Sequence, residues 1–224
     1  MPIVRPTDGP AARPPGGGVS DERTAVEPDR AALPAGTVTF LFTDIEGSTR
    51  LVRDDPAAYA GALVDHRRLL EDAFAAHQGR VVDTQGDSFF VAFPSAGQAV
   101  AAAVDGQQAL AAHPWPAGLG VRVRMGLHTG EATVVGSGYV ALPVHRAARI
   151  AAVASGGQVL LSDVTAALVG DHLPAGTALR SLGEQRLKDF PEPAPVYQLE
   201  VAGLPADFPV LRTAARPPAR LPRP

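Results

Sequence analysis

The stretch from Thr37 to Phe93 constrains this chain more than any other. It passes from an apolar, β-branched run (Thr37–Phe42, TVTFLF) through a long helical pattern into two short apolar runs around Gln85-Gly86-Asp87-Ser88. β-Branched and aromatic content marks Thr37–Phe42 as a buried strand. Helix is expected from about Arg50 to His77, in two pieces divided at Pro56 and stopped at Gly79. Ser48 or Thr49 is the expected cap of the first piece. Arg80–Thr84 and Phe89–Phe93 read as the strands of a hairpin, because Gln85–Ser88 has the length and residue types of a tight turn.

The rest of the chain continues the interleaving. Ser95–Ala112 is Ala-rich and helical, and Val121–His128 alternates, with Val121, Val123, Met125 and Leu127 on one face. His128 then falls on the polar face, where a structural role is expected. Val144–Val153 is helical, with Pro143 as an expected first-turn proline. Val159–Leu161 reads as a strand and Ser162–Val169 as a short helix capped by Ser162. Leu179–Leu182 and Val196–Val201 read as closing strands. The class is α/β or α+β: a mixed sheet covered by helices mainly on one face.

Composition sets the limits of this domain. Residues 1–34 hold seven Pro and four Gly, and residues 213–224 hold four Pro and three Arg, without hydrophobic periodicity. Both read as disordered, a leader and a tail around one domain over 35–212. Cysteine is absent, which excludes disulfide frameworks, thiol nucleophiles and Cys zinc sites. Lys188 is the only lysine and stands in no P-loop frame. No apolar run is long enough to span a bilayer, and no secretory h-region is visible, so a cytoplasmic location is expected and a membrane partner is not. A net charge of −3 gives no footprint for nucleic acid.

Two carboxylates carry the chemistry. Asp44 ends the first strand and Asp87 lies at the hairpin tip. If the hairpin pairs beside that strand, both meet at one rim of the sheet. Two hard oxygen ligands and a backbone carbonyl there suit Mg²⁺, with substrate phosphates completing its shell. Two such ions would clamp the attacking and leaving oxygens of a phosphoryl displacement. Ile45–Thr49 would offer N–H groups to a polyphosphate at a helix start, with Gly47 allowing close approach. Each aspartate also has a plain structural use, as a helix cap or as a turn former.

Five segments in register resemble one family: FTDIEGSTR (Phe42–Arg50), GDSFFVAF (Gly86–Phe93), VRMGLHTGE (Val123–Glu131), VHRAARI (Val144–Ile150) and LGEQRLKDF (Leu182–Phe190). Together they resemble the class III nucleotidyl cyclase catalytic domain, from about Gly36 to Leu199. The resemblance implies a ferredoxin-like core and a homodimer with two active sites shared across its interface. It implies attack of a ribose 3′-hydroxyl on the α-phosphate of a purine nucleoside triphosphate, ATP before GTP, giving a 3′,5′-cyclic nucleotide and pyrophosphate. Two Mg²⁺ or Mn²⁺ ions per site are expected. Residue by residue, it assigns the metals to Asp44, Asp87 and the Ile45 carbonyl. It assigns transition-state charge to Arg149, and the terminal phosphates to Lys188 reaching from the partner subunit; the phosphate loop read above supplies Glu46, Gly47, Ser48 and Thr49.

Three positions depart from the best-known adenylate cyclases. Asp83 replaces a lysine that donates to adenine. Gly138 or a neighbour stands where a second base-reading residue is expected. His145 replaces an asparagine that orients the ribose, and can still donate one hydrogen bond. Asp83 can accept from the adenine amino group or from guanine N1–H and N2–H₂. A competing function therefore stays open: a weak or silent dimeric module that binds nucleotide and regulates. The sequences GG[DE]EF, G-x-S-x-G and H-E-x-x-H are absent, which disfavours a diguanylate cyclase or a hydrolase.

Overall fold

Strand β1 (Gly36–Ile45) is buried on both faces because its alternate side chains serve two different cores. Leu41 and Ile45 join the larger core, while Val38 and Phe40 join a smaller one on the opposite face. The computed structural model describes residues 33–116 and 118–213. The expected leader and tail therefore lie outside the described residues, apart from residues 33, 34 and 213.

After β1 come α1 (Ser48–Asp54) and α2 (Pro56–Ala76). The break falls where proline predicts it: the Asp55 side chain caps α2 by accepting from the Ala58 N–H, with Pro56 as first residue. Helix α2 buries Tyr59, Ala62, His66, Leu70, Ala73 and Phe74, one face at helical spacing. Its end departs from the expected glycine stop. Gln78 takes the left-handed conformation (φ 60°), and Gly79 is required instead for close packing, since a Cβ there would lie 2.7 Å from the Phe93 ring. The hairpin follows as β2 (Arg80–Gln85) and β3 (Ser88–Phe93), turning through Gly86 at φ 60°. Helix α3 (Ala96–Ala112), capped by Ser95, leads to β4 (Val123–Ala132). A two-stranded ribbon of β5 (Val134–Val135) and β6 (Gly138–Tyr139), which periodicity does not reveal, precedes α4 (Leu142–Val153). The chain closes with β7 (Val159–Ser162), α5 (Asp163–Val169), β8 (Thr177–Gln185) and β9 (Ala194–Val201).

Seven strands form one mixed sheet in the order β2-β3-β1-β4-β7-β9-β8, antiparallel at every pair except β4 with β7. The first four strands in sheet order have the ferredoxin-like β-α-β-β-α-β arrangement. Helices α1, α2, α3 and α5 contribute Leu51, Phe74, Leu110 and Val169 to the core on one face. Among the described helices α4 covers the other, through Ala147 and Ile150. It lies so close to β4 that a Cβ on Gly126 would stand 2.2 Å from the Ala151 nitrogen. Each fully buried Phe or Leu in these layers contributes on the order of 1.5–3 kcal/mol. Among the described residues no helix is long and apolar enough to cross a membrane.

Candidate active site

The hairpin pairs beside β1, with Thr43 opposite Phe89, and this brings Asp87 to the end of β1. The Asp87 carboxylate accepts the Ile45 N–H through Oδ2 at 2.7 Å. Asp44 is the residue before, so both carboxylates belong to one rim of the sheet. The Ile45 side chain enters the larger core, which turns Asp44 to the α4 face. There Arg124, its partner across the β1–β4 register, donates from Nε to Oδ1 at 2.6 Å and from Nη2 to Oδ2 at 2.5 Å. This forked pair is partly shielded from water, the side chains being 18% and 31% exposed for Arg124 and Asp44. The two carboxylates and the adjacent peptide carbonyl are hard oxygen donors of the kind Mg²⁺ or Mn²⁺ takes, though both Asp44 oxygens are held by Arg124 here. Arg124 shares that carboxylate, and sequence reasoning missed it. The signal available was an arginine inside a strand motif, directly across from the end of β1.

The loop after β1 differs in detail from expectation. Gly47, at φ 70°, occupies the cap position, so neither Ser48 nor Thr49 caps α1 with its side chain. Arg50 N–H and Leu51 N–H both bond the Gly47 carbonyl, which leaves the Ser48 and Thr49 N–H groups facing out, as at any helix start. Glu46 is turned away. Its N–H donates to the Arg122 carbonyl at 2.9 Å, and its carboxylate takes Arg122 at 3.1 Å and Arg212 at 2.6 Å. With that N–H already bonded and its carboxylate paired, Glu46 presents no free donor to the expected phosphate loop here. Ser48, Thr49, Gly86 and Asp87 instead share the walls of an open cleft of about 520 Å³ with Tyr59. Burial, and then the Asp87 carboxylate, push the Tyr59 hydroxyl above its usual range.

The remaining predicted residues gather elsewhere. Arg149, on α4, donates to Asp189 at 2.6 Å, and Lys188 is the exposed residue beside that aspartate. His145 is exposed one turn before Arg149 on the same helix. Arg146 lies over the Phe190 ring at 4.8 Å. Among the described residues no hydrogen bond or ion pair joins this basic cluster to Asp44 or Asp87. Asp83 is exposed on edge strand β2, at a bulge, and is satisfied locally: it accepts from the Thr84 N–H and from Gln85 Nε2, each at 2.8 Å. Gly138 lies near Val82.

Two histidines are buried. His128 is not on a wetted face, because α4 covers that side of β4. Its Nδ1 pairs with Ser162 Oγ at 2.8 Å, and burial, reinforced by Arg146, lowers its pKa to about 4. His66 is fully buried against Phe89, and neither ring nitrogen has a partner among the described residues. Burial lowers it to about 4 as well; Asp87 opposes this and Arg67 assists it.

Comparison with known proteins identifies the family. Residues 31–200 match the adenylate and guanylate cyclase catalytic domain family. An uncharacterized protein of Mycobacterium tuberculosis is 38% identical over 190 residues, covering 84% of this chain and 64% of that protein. A receptor-type adenylate cyclase of Trypanosoma congolense is 32% identical over 204 residues, covering 72% of this chain and 27% of the receptor. The chain thus spans less than two thirds of either relative. A solved adenylate cyclase of Trypanosoma brucei, in its monomeric state, superimposes with a TM-score of 0.72 at 29% identity, covering 81% of this chain and 96% of that one. The chain belongs to the adenylate and guanylate cyclase catalytic domain family.

Proposed function

We propose that this domain is a nucleotidyl cyclase that converts a purine nucleoside triphosphate to its 3′,5′-cyclic nucleotide and pyrophosphate. The observation that carries the reading is the 2.7 Å bond from the Ile45 N–H to Asp87, which ties the second carboxylate to the residue next to Asp44. Asp44, Asp87 and the Ile45 carbonyl would hold Mg²⁺ or Mn²⁺; when bound, the cation supplies charge to the phosphate oxygens and to the attacking hydroxyl. Ser48 and Thr49 offer N–H donors toward the terminal phosphates. Arg124 gives a forked cation on the same rim.

Among the described residues no hydrogen bond or ion pair joins the basic cluster of Arg149 and Lys188 to that rim, an arrangement that suits a homodimer. One copy would bring the carboxylates and the other the cations. Arg149 would then leave Asp189 to meet negative charge building on the transferring phosphoryl group, a task that suits a guanidinium. His145, one turn away, would orient the ribose. ATP is the favoured substrate, because the relatives that match at 29–32% identity are adenylate cyclases. Asp83 would read the base.

A second reading is favoured by the two ion pairs. With Arg124 on Asp44 and Arg149 on Asp189, a silent dimeric module would look the same. Purified protein assayed with ATP and GTP separately, in Mn²⁺, separates the two. Cyclic nucleotide that disappears in Asp44→Ala, with the fold intact by circular dichroism, is the expected result. Wild-type protein that produces neither cyclic nucleotide, in a preparation shown to be dimeric, would refute the enzyme.

A further inference from the structure

Asp87 stands on a two-residue turn between β2, an edge strand exposed along most of its length, and β3. The direction of Asp87 is set by the turn's own backbone, by the Ile45 N–H bond to its carboxylate and by whatever grips the turn's backbone. Here one side chain grips it: Arg67, half-buried on α2, donates from Nη2 to the Gly86 carbonyl at 2.6 Å. Among the described residues no other side chain bonds the backbone of Gly86 or Asp87. Gly86 holds the left-handed conformation that sets the turn, so a bond to its carbonyl acts on the peptide that leads directly into Asp87.

The brace is anchored firmly. Arg67 is flanked by His66, fully buried on Phe89, and Phe89 packs edge-on against Phe74 at 5.5 Å. Helix α2 is thus fixed to the root of β3 while Arg67 reaches the tip. The Arg67 Nε is itself buried without a partner, so the guanidinium has surrendered solvation to make this one contact.

We infer that Arg67 is a positioning residue that holds the β2–β3 turn so that Asp87 presents one oxygen to the Ile45 N–H and leaves the other for a divalent cation. The inference rests on the cyclase reading above, which makes Asp87 a metal ligand. It predicts that loss of the guanidinium loosens the turn and weakens cation binding, without touching Asp44 or the core. Residues that orient a metal ligand typically change affinity by about 10- to 100-fold when removed.

The test compares wild type with Arg67→Met, which keeps the aliphatic stem, Arg67→Lys, which can still donate to a carbonyl, and Asp87→Ala. Two quantities are measured on the full chain: Mn²⁺ affinity, from the paramagnetic resonance of free Mn²⁺, and hydrogen exchange at the Ile45 amide without metal. Arg67→Met should bind Mn²⁺ about tenfold more weakly and exchange the Ile45 amide faster, at an unchanged thermal midpoint. Arg67→Lys should recover part of both. Wild-type affinity and wild-type exchange in Arg67→Met would overturn the inference while leaving the metal site standing. Binding that is equal in wild type and Asp87→Ala would remove the metal site itself. In that case slow Ile45 exchange in Arg67→Met would also end the brace. A lowered midpoint with no rescue by Arg67→Lys would reduce Arg67 to a structural contact and overturn the positioning role.

Discussion

Moving from pH 7.5 to 5.5 should cost this fold on the order of 2–3 kcal/mol through His66 and His128 alone. Both rings are buried, and burial holds each at about 4 against an ordinary 6.5. The neutral ring is the folded form, so the unfolded chain takes up a proton that the folded chain refuses. The stabilisation is complete above pH 6.5 and is lost as pH falls from there toward 4. At pH 5.5 each unfolded histidine is about nine-tenths protonated and each folded one hardly at all, which gives on the order of 1 kcal/mol per ring. For a domain of this size that is a fall in melting temperature of about 7 °C. The window stops above the ordinary range of carboxylates, so acid titration of Asp and Glu contributes little. Two substitutions partition the effect. His66→Leu removes a ring that makes no hydrogen bond, and His128→Asn keeps an amide near the Nδ1 position that meets Ser162. Each should remove about half of this two-ring contribution, and the pair nearly all of it. Urea unfolding at both pH values measures this. A double variant that loses stability between pH 7.5 and 5.5 as steeply as wild type would refute the assignment.

Two further outcomes follow from single contacts. Asp83→Lys exchanges an acceptor for a donor where the base is expected, so the ratio of kcat/KM for ATP to that for GTP should change at least severalfold; an unchanged ratio means that Asp83 does not read the base. Gly126→Ala places a Cβ 2.2 Å from the Ala151 nitrogen, which only a shift of α4 can relieve. That should destabilise by about 1–3 kcal/mol or more and lower activity by moving Arg149; chemical denaturation that shows no loss would contradict the tight β4–α4 packing.

The sheet was legible where local chemistry and periodicity agree. Pro56 divides two helices, Ser162 caps its helix, and Gly86 turns the hairpin, each for a reason that the residue carries alone. It failed where tertiary packing decides. Gly79 looks like a helix stop but is small because Phe93 needs the space. His128 looks solvent-facing by alternation, yet one helix crosses that face and buries it. The β5–β6 ribbon has two-residue strands, too short for any period to register.

The same division governs the site. Asp44 and Asp87 were legible as a pair because a strand end and a hairpin tip are local features, and pairing the hairpin beside β1 was the only long-range step needed. What holds each of them was not legible. Arg124 reaches Asp44 from 80 residues away, through the β1–β4 register, and Arg67 reaches the Asp87 turn from 19 residues away, across a helix. Glu46 shows the converse: its type and place suggest a phosphate loop, but Arg122 and Arg212 claim its carboxylate from 76 and 166 residues away. Arginine is the residue that forms all of these ties, and nineteen of them in one chain offer no local sign of which will be structural. A forked guanidinium can brace a turn, mask a carboxylate or meet a phosphate with the same geometry. Its partner in the folded chain decides among those roles, and at Arg124 and Arg149 the partner is an acidic group that a cation or a phosphoryl group would compete with or displace. On the cyclase reading, a cation entering the rim would compete with Arg124 for Asp44, so metal affinity in Arg124 variants probes that pair directly.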